Sequence, residues 1–381
     1  MKQFIYSIIF VFTVNTSFSQ TEKLVLKKSF EVNQNTILNL DVDNATIQFV
    51  ESTDNKIHID YSILFNKSSE EVVFKAFKDL YASATKSSNV VNLEVKNSMF
   101  LGELYFIEVD IDTYKKHIKN YFRNIRSNKF LYKSKDSLLK EIHFSSGPGS
   151  NDYFRKLKRE NPNKYFGKLS RKFEQKFIIK APKYLILKIK ALRSKINFNY
   201  DISNSIELNS FNTYLKFKRL ESEQNKFSLH SGIFQSEKVV GGNYFFKDVT
   251  KVAIGSISDA KLNTETSKIQ IGEIGKNVDF EDFNSKLYFY NFYKNFVDFK
   301  FVGDYSKVYF FDKKNTVSLT AFGNTTSFVI DKQKMSFKPR KGKNKFMMLE
   351  KKVKNKENYY GHVDLNITHG IIEIKSLEKE H

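Results

Sequence analysis

The stretch AKLNTETSKIQI, which runs from Ala260 to Ile271, decides the fold of this chain. Its first, third, tenth and twelfth places are apolar, and a short polar turn separates the two pairs. Alternation of apolar and polar residues is typical of a half-buried strand, so the stretch predicts a strand, a turn and a second strand. The same spacing recurs along the chain, and this recurrence makes the unit the basis of the predicted architecture.

Copies of this unit follow one another through most of the sequence. They begin at Leu38, Leu187, Ile206, Ala260, Val278, Phe299, Val317 and Val363, and less regular copies begin at Phe227 and Asn243. A period of about 16 to 21 residues over many units is the signature of a solenoid. The predicted fold is therefore all-β, a single-stranded parallel β-helix (β-solenoid). The alternative is an antiparallel β-sandwich, whose strands also recur at short intervals.

Stacking of the copies predicts columns of like residues. The third place gives Leu262, Phe280, Phe301 and Leu319, and the tenth gives Ile269, Leu287, Val308 and Thr326. A Ser-Lys pair precedes the second strand at Ser194-Lys195, Ser267-Lys268, Ser285-Lys286 and Ser306-Lys307. These pairs predict a column of lysines along one edge of the stack.

The amino-terminal part of the chain divides into two segments. Residues 1–19 are predicted to be a secretory signal peptide, because Lys2 precedes a short apolar run and small residues precede a cut before Gln20. Residues 20–112 are predicted to start the solenoid and to include a short capping helix near 68–85. In that helix, Val73, Phe77, Leu80 and Ala84 would share one face.

Four further segments follow. Residues 113–175 form a basic and aromatic insertion, interpreted as short helices or loops, and residues 176–330 form the main β-solenoid. Residues 331–360 are predicted to be an exposed basic loop, and residues 361–381 the last coil and a tail. Lys115 to Lys176 carries 18 Lys and Arg against 5 Asp and Glu.

Composition limits the chemistry and suggests a compartment. The 381 residues include no Cys, which excludes disulfides, thiolate catalysis and cysteine-ligated metals. The sequence after the signal peptide has no run of about 18 apolar residues, so no transmembrane span is predicted. We therefore expect an exported protein that is periplasmic, on the outer surface or secreted.

Three stretches resemble a known family. They are LNLDVDNATIQFVESTDNKIHIDYSI from Leu38, SSEEVVFKAFKDLYASATKSSNVVNLEV from Ser68, and KAPKYLILKIKALRSKINF from Lys180, which leads into coils such as SKIQIGEIGKNVDF. They resemble the exported bacterial putative-adhesin family with a β-solenoid head (GIN-type, or auto-transporter-adhesin-head, domains of unknown function). That family usually has Gly-Asp or Gly-Ser where this chain has Ser-Lys. The resemblance implies a β-solenoid and surface adhesion, and it supplies no catalytic residues.

No catalytic, cofactor-binding or metal motif is present in the sequence. There is no phosphate-binding loop, no HExxH and no GxSxG. The chain is therefore predicted not to be an enzyme. The alternative is a carbohydrate-active β-helix, either a polysaccharide lyase or a hydrolase. Its carboxylates would come from adjacent coils, at Asp279, Glu281, Asp282, Asp298 and Asp304.

The formal charge of +21 favours solubility, and it also suggests an anionic partner. The alternative is that the charges are simply a solvated face. The candidate contacts are Arg155, Lys156, Lys158, Arg159, Lys338, Arg340, Lys341 and Lys343. For an exported protein, the partner would be an anionic polysaccharide, lipopolysaccharide or another envelope component. No role with nucleic acid inside the cell is expected.

Overall fold

The structure, a computed structural model, describes residues 20–43, 45–66, 81–96, 103–109, 129–133, 139–145, 166–168, 173–311, 317–330, 340–341, 346–351 and 360–375. Every regular element within these ranges is a β-strand, which confirms the all-β prediction. The predicted signal peptide lies outside the described residues. Within the described part of the chain, no helix is long and apolar enough to cross a membrane.

The strands are numbered in chain order. The first ten are β1 (Gln20–Glu31), β2 (Ile37–Asp43), β3 (Thr46–Glu51), β4 (Lys56–Asn66), β5 (Tyr81–Ser87), β6 (Val90–Lys96), β7 (Glu103–Val109), β8 (Lys129–Lys133), β9 (Leu139–Ser145) and β10 (Phe166–Lys168). The next nine are β11 (Phe173–Ala181), β12 (Ile186–Leu192), β13 (Lys195–Phe198), β14 (Ile206–Leu220), β15 (Lys226–Val240), β16 (Asn243–Lys247), β17 (Lys251–Ser258), β18 (Ala260–Glu265) and β19 (Lys268–Ile274). The last ten are β20 (Val278–Phe283), β21 (Lys286–Phe289), β22 (Asp298–Asp304), β23 (Lys307–Phe311), β24 (Val317–Asn324), β25 (Ser327–Ile330), β26 (Arg340–Lys341), β27 (Phe346–Lys351), β28 (Gly361–Thr368) and β29 (Ile371–Lys375).

The first halves of the repeats form one stack of parallel strands, called the first stack. Its order is β6, β2, β12, β14, β15, β16, β18, β20 and β22. Equivalent residues pair, so Leu187 lies beside Ile206 and Leu262 beside Phe280. Between these strands there is none of the antiparallel pairing that the β-sandwich alternative requires.

The second halves of the repeats form a second stack of parallel strands. Its order is β3, β13, β14, β15, β17, β19, β21 and β23. Strands β14 and β15 belong to both stacks, because each continues through the corner without a break. A strand of the first stack, its corner and the following strand of the second stack together make one rung.

Most corners in the described part of the chain have a residue other than glycine in the left-handed backbone region. In nine rungs it is Arg193, Asn212, Ser231, Asp248, Thr266, Asn284, Tyr305, Thr325 or His369, with φ between 47 and 59°. In six of these rungs the N–H of this residue donates to a carbonyl of the adjacent rung, as from Thr266 to Phe283 at 2.9 Å. Residues other than Gly, Asn and Asp rarely adopt this conformation. The ladder of hydrogen bonds between rungs therefore holds these corners.

The core lies between the stacks and consists of the predicted columns. Leu262, Phe280 and Phe301 are buried neighbours in the first stack. The corresponding column of the second stack, Ile269, Leu287 and Val308, is fully buried. These parts of the two predicted columns are confirmed. Burial of each such apolar side chain contributes about 1.5 to 3 kcal/mol, so the columns supply much of the stability.

The last residue predicted for each column is wrong. Leu365, not Leu319, lies beside Phe301, and Ala321 follows Leu365. Similarly, Ile372 and then Phe328 continue the column beyond Val308, where Thr326 was expected. Strands β28 and β29 therefore lie between β22–β23 and β24–β25, although they come last in the chain. Strands β24 and β25 are also offset by two residues, a shift that keeps the same face inward because strand periodicity is two.

Antiparallel strands close the ends of the stacks, so the 25-stranded sheet is mixed and not purely parallel as predicted. In the first stack, β5 pairs antiparallel with β6 at one end and β27 with β24 at the other. In the second stack, β4 pairs antiparallel with both β1 and β11, and β11 joins β3 in parallel. Pairing of this kind covers sheet edges that would otherwise be open.

The predicted helix near 68–85 is wrong where it can be checked. Residues 67–80 lie outside the described residues, but Tyr81–Ser87 is strand β5. It forms a hairpin with β6 through a two-residue turn at Ser88 and Asn89, and Ser88 has φ 50°. Pairing with β6 buries Ala84 against the core, and this tertiary contact outweighs the helical spacing of the apolar residues.

The two basic segments contain strands where helices or loops were predicted. Strands β7, β8, β9 and β10 form a separate four-stranded antiparallel sheet in the order β10, β7, β9, β8. Strands β26 and β27 form an antiparallel pair inside the predicted basic loop. Their ladder hydrogen bonds bring parts of both segments into regular structure despite the high charge.

Candidate cationic and aromatic surface

The eight candidate contact residues are not brought together in the described part of the chain. Residues 155–159, Lys338 and Lys343 lie outside it. Arg340 and Lys341 form β26, where their backbones pair with Met348 and Met347. The structure therefore leaves these contacts as predictions and draws attention to another basic surface.

A row of lysines crosses three adjacent rungs of the second stack. Lys268 pairs with Lys286, and Lys286 pairs with Lys307. All three are exposed, and neighbouring strands lie about 4.8 Å apart. Within the described residues, none of the three forms a salt bridge. The column of lysines predicted from the Ser-Lys pairs is thus confirmed for these rungs, and Lys268, Lys286 and Lys307 are called the lysine row.

The serine before each lysine fixes the row. Ser267, Ser285 and Ser306 are buried at the corner. The backbone N–H of Ser267 donates to Ser285 Oγ at 2.9 Å, so the hydroxyl of one rung holds the next. Because side chains alternate across a strand, an inward serine places the following lysine outward. The Ser-Lys pair therefore sets both the contact between rungs and the surface charge.

Tyrosines form a second row beside the lysine row. Tyr288 pairs with Tyr309, and their rings stack with centroids 4.7 Å apart and an interplanar angle of 11°. The rings of Tyr290 and Phe311 stack in the same manner at 5.2 Å and 10°. The sequence analysis did not identify these rings as a surface feature. The signal was available, since Tyr follows Ser-Lys by two residues in two successive copies, SKLYF and SKVYF.

Lys286 interacts with both tyrosines of this row. Its Nζ lies 5.5 Å from the ring centroid of Tyr288 and 5.2 Å from that of Tyr309, within the range of cation–π attraction. A hydrogen bond with Tyr288 raises the pKa of Lys286, and the nearby Tyr309 acts in the same direction. The side chain is therefore a fixed positive charge in the physiological range of pH.

Exposed aromatic side chains also lie at the corner, on the other side of the lysine row. Phe283 is 50% exposed and Tyr305 is 52% exposed, with their rings edge to face at 6.0 Å. The ring of Tyr305 stacks on that of His369 at 5.0 Å. Aromatic rings thus flank the lysine row on both sides at Lys286 and Lys307, in the rungs that start at Val278 and Phe299.

The five carboxylates of the enzyme alternative are not all brought together, although Asp298 and Asp279 both lie close enough to Lys300 to raise its pKa. Asp279 lies 4.0 Å from Lys261, Asp298 lies 3.2 Å from Lys300, and Asp304 lies 3.2 Å from His369. Glu281 is exposed on the face of the first stack. Asp282 instead faces inward and accepts hydrogen bonds from Thr264, Ser285 and Ser306. Among the described residues, no three His, Asp or Glu side chains are grouped as a metal site would require.

Comparison with known proteins gives only distant structural similarity. No family model and no curated protein matches the chain. A putative adhesin from Bacteroides fragilis matches with a TM-score of 0.34 and 9% identity, over 93% of this chain and 97% of that one. A putative adhesin from Parabacteroides merdae gives 0.25 and 12%, over 93% and 96%. A putative cell adhesion protein from Clostridium sporogenes gives 0.18 and 10%, over 94% and 100%. These values are too low to assign a fold or a function to this chain.

Proposed function

We propose that this chain is an exported, non-enzymatic β-solenoid that binds an anionic polymer of the cell envelope or of another surface, as an adhesin-like protein would. The observation that carries the proposal is the lysine row. Lys268, Lys286 and Lys307 lie on successive rungs and are exposed, and aromatic rings flank Lys286 and Lys307.

Electrostatics favours an anionic ligand at this surface. Like charges on successive rungs about 4.8 Å apart repel one another, and a polyanion lying along the row would remove that repulsion. The flanking tyrosines add hydroxyl groups and ring edges that suit a polymer carrying both charge and hydroxyl groups. Attraction of this kind weakens with salt, because the Debye length is about 8 Å at physiological ionic strength.

The two stacks and their repeated corners support the solenoid interpretation. One rung follows another with the same corner conformation, and the buried columns continue from rung to rung. The apolar run before Gln20 supports export to the periplasm, the outer surface or the medium. The anionic partners of those compartments are acidic polysaccharide, lipopolysaccharide and other envelope components.

The test uses heparin and purified lipopolysaccharide as probes. In the double variant Lys286→Glu, Lys307→Glu, affinity in 50 mM salt should fall at least about tenfold, equivalent to about 1.4 kcal/mol. The matched control is Lys190→Glu, Lys276→Glu, which changes the charge equally at two exposed positions outside the row. The control should stay within about twofold of the parent. Equal losses in both variants, or no loss in either, would contradict the assignment of the contact to the lysine row.

The basic segments are proposed as additional contacts for the same polymer. Replacing Arg155, Lys156, Lys158 and Arg159 together by Ser removes four positive charges. If the segment contributes, the salt dependence of heparin binding becomes shallower in this variant. An unchanged slope would restrict the contact to the lysine row.

The absence of catalysis is part of the proposal and has its own test. Each of Asp279, Asp298 and Asp304 is engaged with a basic side chain. This supports the proposal, since glycosidases place two carboxyl groups on either side of one bond. A screen of polysaccharides should release no sugar products. Product release that disappears in Asp279→Ala or Asp298→Ala would establish the enzyme alternative instead.

A further inference from the structure

A groove on the face of the first stack is separate from the lysine row. It has a volume of about 460 Å³ and lies across β14, β15, β16 and β18. Its polar and aromatic lining includes Asn209, Ser228, Asn243, Phe245 and Asn263. All of these residues point outward, because they alternate with buried residues of the core.

The register places one aromatic ring among these polar groups. Ser228, Phe245 and Asn263 are neighbours in one row across three rungs. Phe245 is half-buried, and its ring is held edge to face against His230 at 5.6 Å. The side chain of Ser228 is short, so it leaves room beside the ring within the groove. Phe245 thus offers an apolar surface at the bottom of a polar depression.

Three amides in the groove are free to bind a ligand. The side chains of Asn209, Asn243 and Asn263 are exposed and form no hydrogen bond with any described residue. By contrast, two amides elsewhere on this face pair with each other, Asn39 Nδ2 donating to Asn92 Oδ1 at 3.0 Å. An amide both donates and accepts, and this matches a hydroxyl group, which does the same.

The charges around the groove are largely balanced. Glu207 pairs with Lys188 at 3.5 Å, and Lys261 lies 4.0 Å from Asp279. Lys226 is then the remaining positive charge at the groove wall within the described residues. A polyanion would find a weaker field here than at the lysine row. The lining therefore suits a neutral ligand that has many hydroxyl groups and an apolar ring face.

We propose that this groove binds a neutral oligosaccharide. One sugar ring lies against Phe245, and its hydroxyl groups bond to the amides of Asn243 and Asn263. The neighbouring sugar reaches Asn209, so the glycan crosses the rungs. This site is on a different face from the lysine row and stands independently of the proposed function.

The test is titration calorimetry of the whole chain with four neutral probes: cellohexaose, chitohexaose, laminarihexaose and mannohexaose. At least one probe should bind, and its affinity should be similar at 50 and 500 mM salt because the contacts are uncharged. Phe245→Ala and Asn263→Ala should each weaken binding at least about fivefold, equivalent to about 1 kcal/mol. The matched control is Asn366→Ala, an exposed amide in the same row three rungs away, which should change nothing.

Thermal unfolding of each variant separates lost binding from lost folding. The milder Phe245→Leu keeps an apolar side chain without the flat ring, and it should also weaken binding. If none of the four probes binds at millimolar concentration, the proposal is overturned. It is also overturned if binding is lost in high salt, or if Asn366→Ala weakens it as much as Asn263→Ala.

Discussion

At the scale of single residues, Asp282 shows how a carboxylate is used inside this sheet. It is 8% exposed, and it accepts from the N–H of Ser285 at 3.0 Å and from the hydroxyls of Thr264 and Ser306. These partners come from three successive rungs. Asp282 therefore connects the rungs at the corner directly below the lysine row.

Removing this carboxylate should destabilise the protein. We expect Asp282→Ala to lower the free energy of unfolding by about 1 to 3 kcal/mol, because buried donors are left unsatisfied. Urea unfolding measures the change. Asp279→Ala, at an exposed place on the same strand, is the control and should stay within about 0.5 kcal/mol of the parent. Equal stability of the two variants would show that the network contributes nothing.

Buried tyrosines predict sensitivity to alkali. Burial raises the pKa of Tyr61 and Tyr244, and among the described residues the hydroxyl of Tyr61 has no hydrogen-bond partner. In the unfolded chain a tyrosine loses its proton near pH 10. Above pH 10 the unfolded state therefore binds fewer protons than the folded state. The free energy of unfolding keeps its full value below pH 10 and falls as the pH rises above it.

The variant Tyr61→Phe tests the direction of this pH dependence. Between pH 8 and pH 11 it should lose about 1 kcal/mol less stability than the parent, measured by urea unfolding at both values. Its stability at pH 8 should be unchanged or slightly greater, because the lost hydroxyl has no partner. Tyr293→Phe, at an exposed position, should show the full alkaline loss of the parent.

At the scale of elements, the corner is the recurring device of the fold. Sequence alternation alone predicts that Ser267 and Ser285 face inward and that the following lysines face outward, and this is what the structure contains. The left-handed conformation was harder to foresee. Thr266 and Tyr305 occupy it although Asn or Gly would fit better, so residue type gives no signal at these corners.

Corner strain gives a stability prediction. Thr266 has φ 47°, a region that β-branched residues avoid. Thr266→Asn should therefore stabilise the protein by about 0.5 to 1 kcal/mol. Thermal unfolding would measure this as a rise in Tm. In the control, Thr250→Asn, an exposed threonine outside the left-handed region is replaced, and no gain is expected. A gain in the control alone would refute the strain argument.

The surface features, too, could be predicted only in part from the sequence. The lysine row was predictable because it repeats at one place of the unit. The groove around Phe245 was not, because Asn209 and Asn243 belong to different rows of the face, and only the register brings them together. A feature that repeats at one position of the unit can be predicted from the sequence alone. A site whose residues occupy different positions of the unit can be predicted only when the pairing of the strands is known.

At the scale of the whole molecule, the order of the rungs differs from the order of the chain. The repeat predicts how each rung is built, since its apolar places are local. The repeat cannot predict the order in which the rungs stack when two copies have similar apolar residues at the same positions. Val363 and Leu365 fit beside Phe299 and Phe301 as well as Val317 and Leu319 would. In the structure, β27 pairs with the edge of β24 that β28 leaves open, and the hairpin of β26 and β27 also departs from the loop prediction.

Cysteine cross-linking tests this arrangement most directly, because the natural chain has no cysteine. The structure pairs Val302 with Asn366, whereas chain order would pair Val302 with Thr320. Adjacent strands are about 4.8 Å apart, within disulfide range, and strands two rungs apart are not. The pair Glu281→Cys, Val302→Cys is adjacent under either order and is the positive control. The account predicts a disulfide in Val302→Cys, Asn366→Cys and none in Val302→Cys, Thr320→Cys; the reverse result would contradict it.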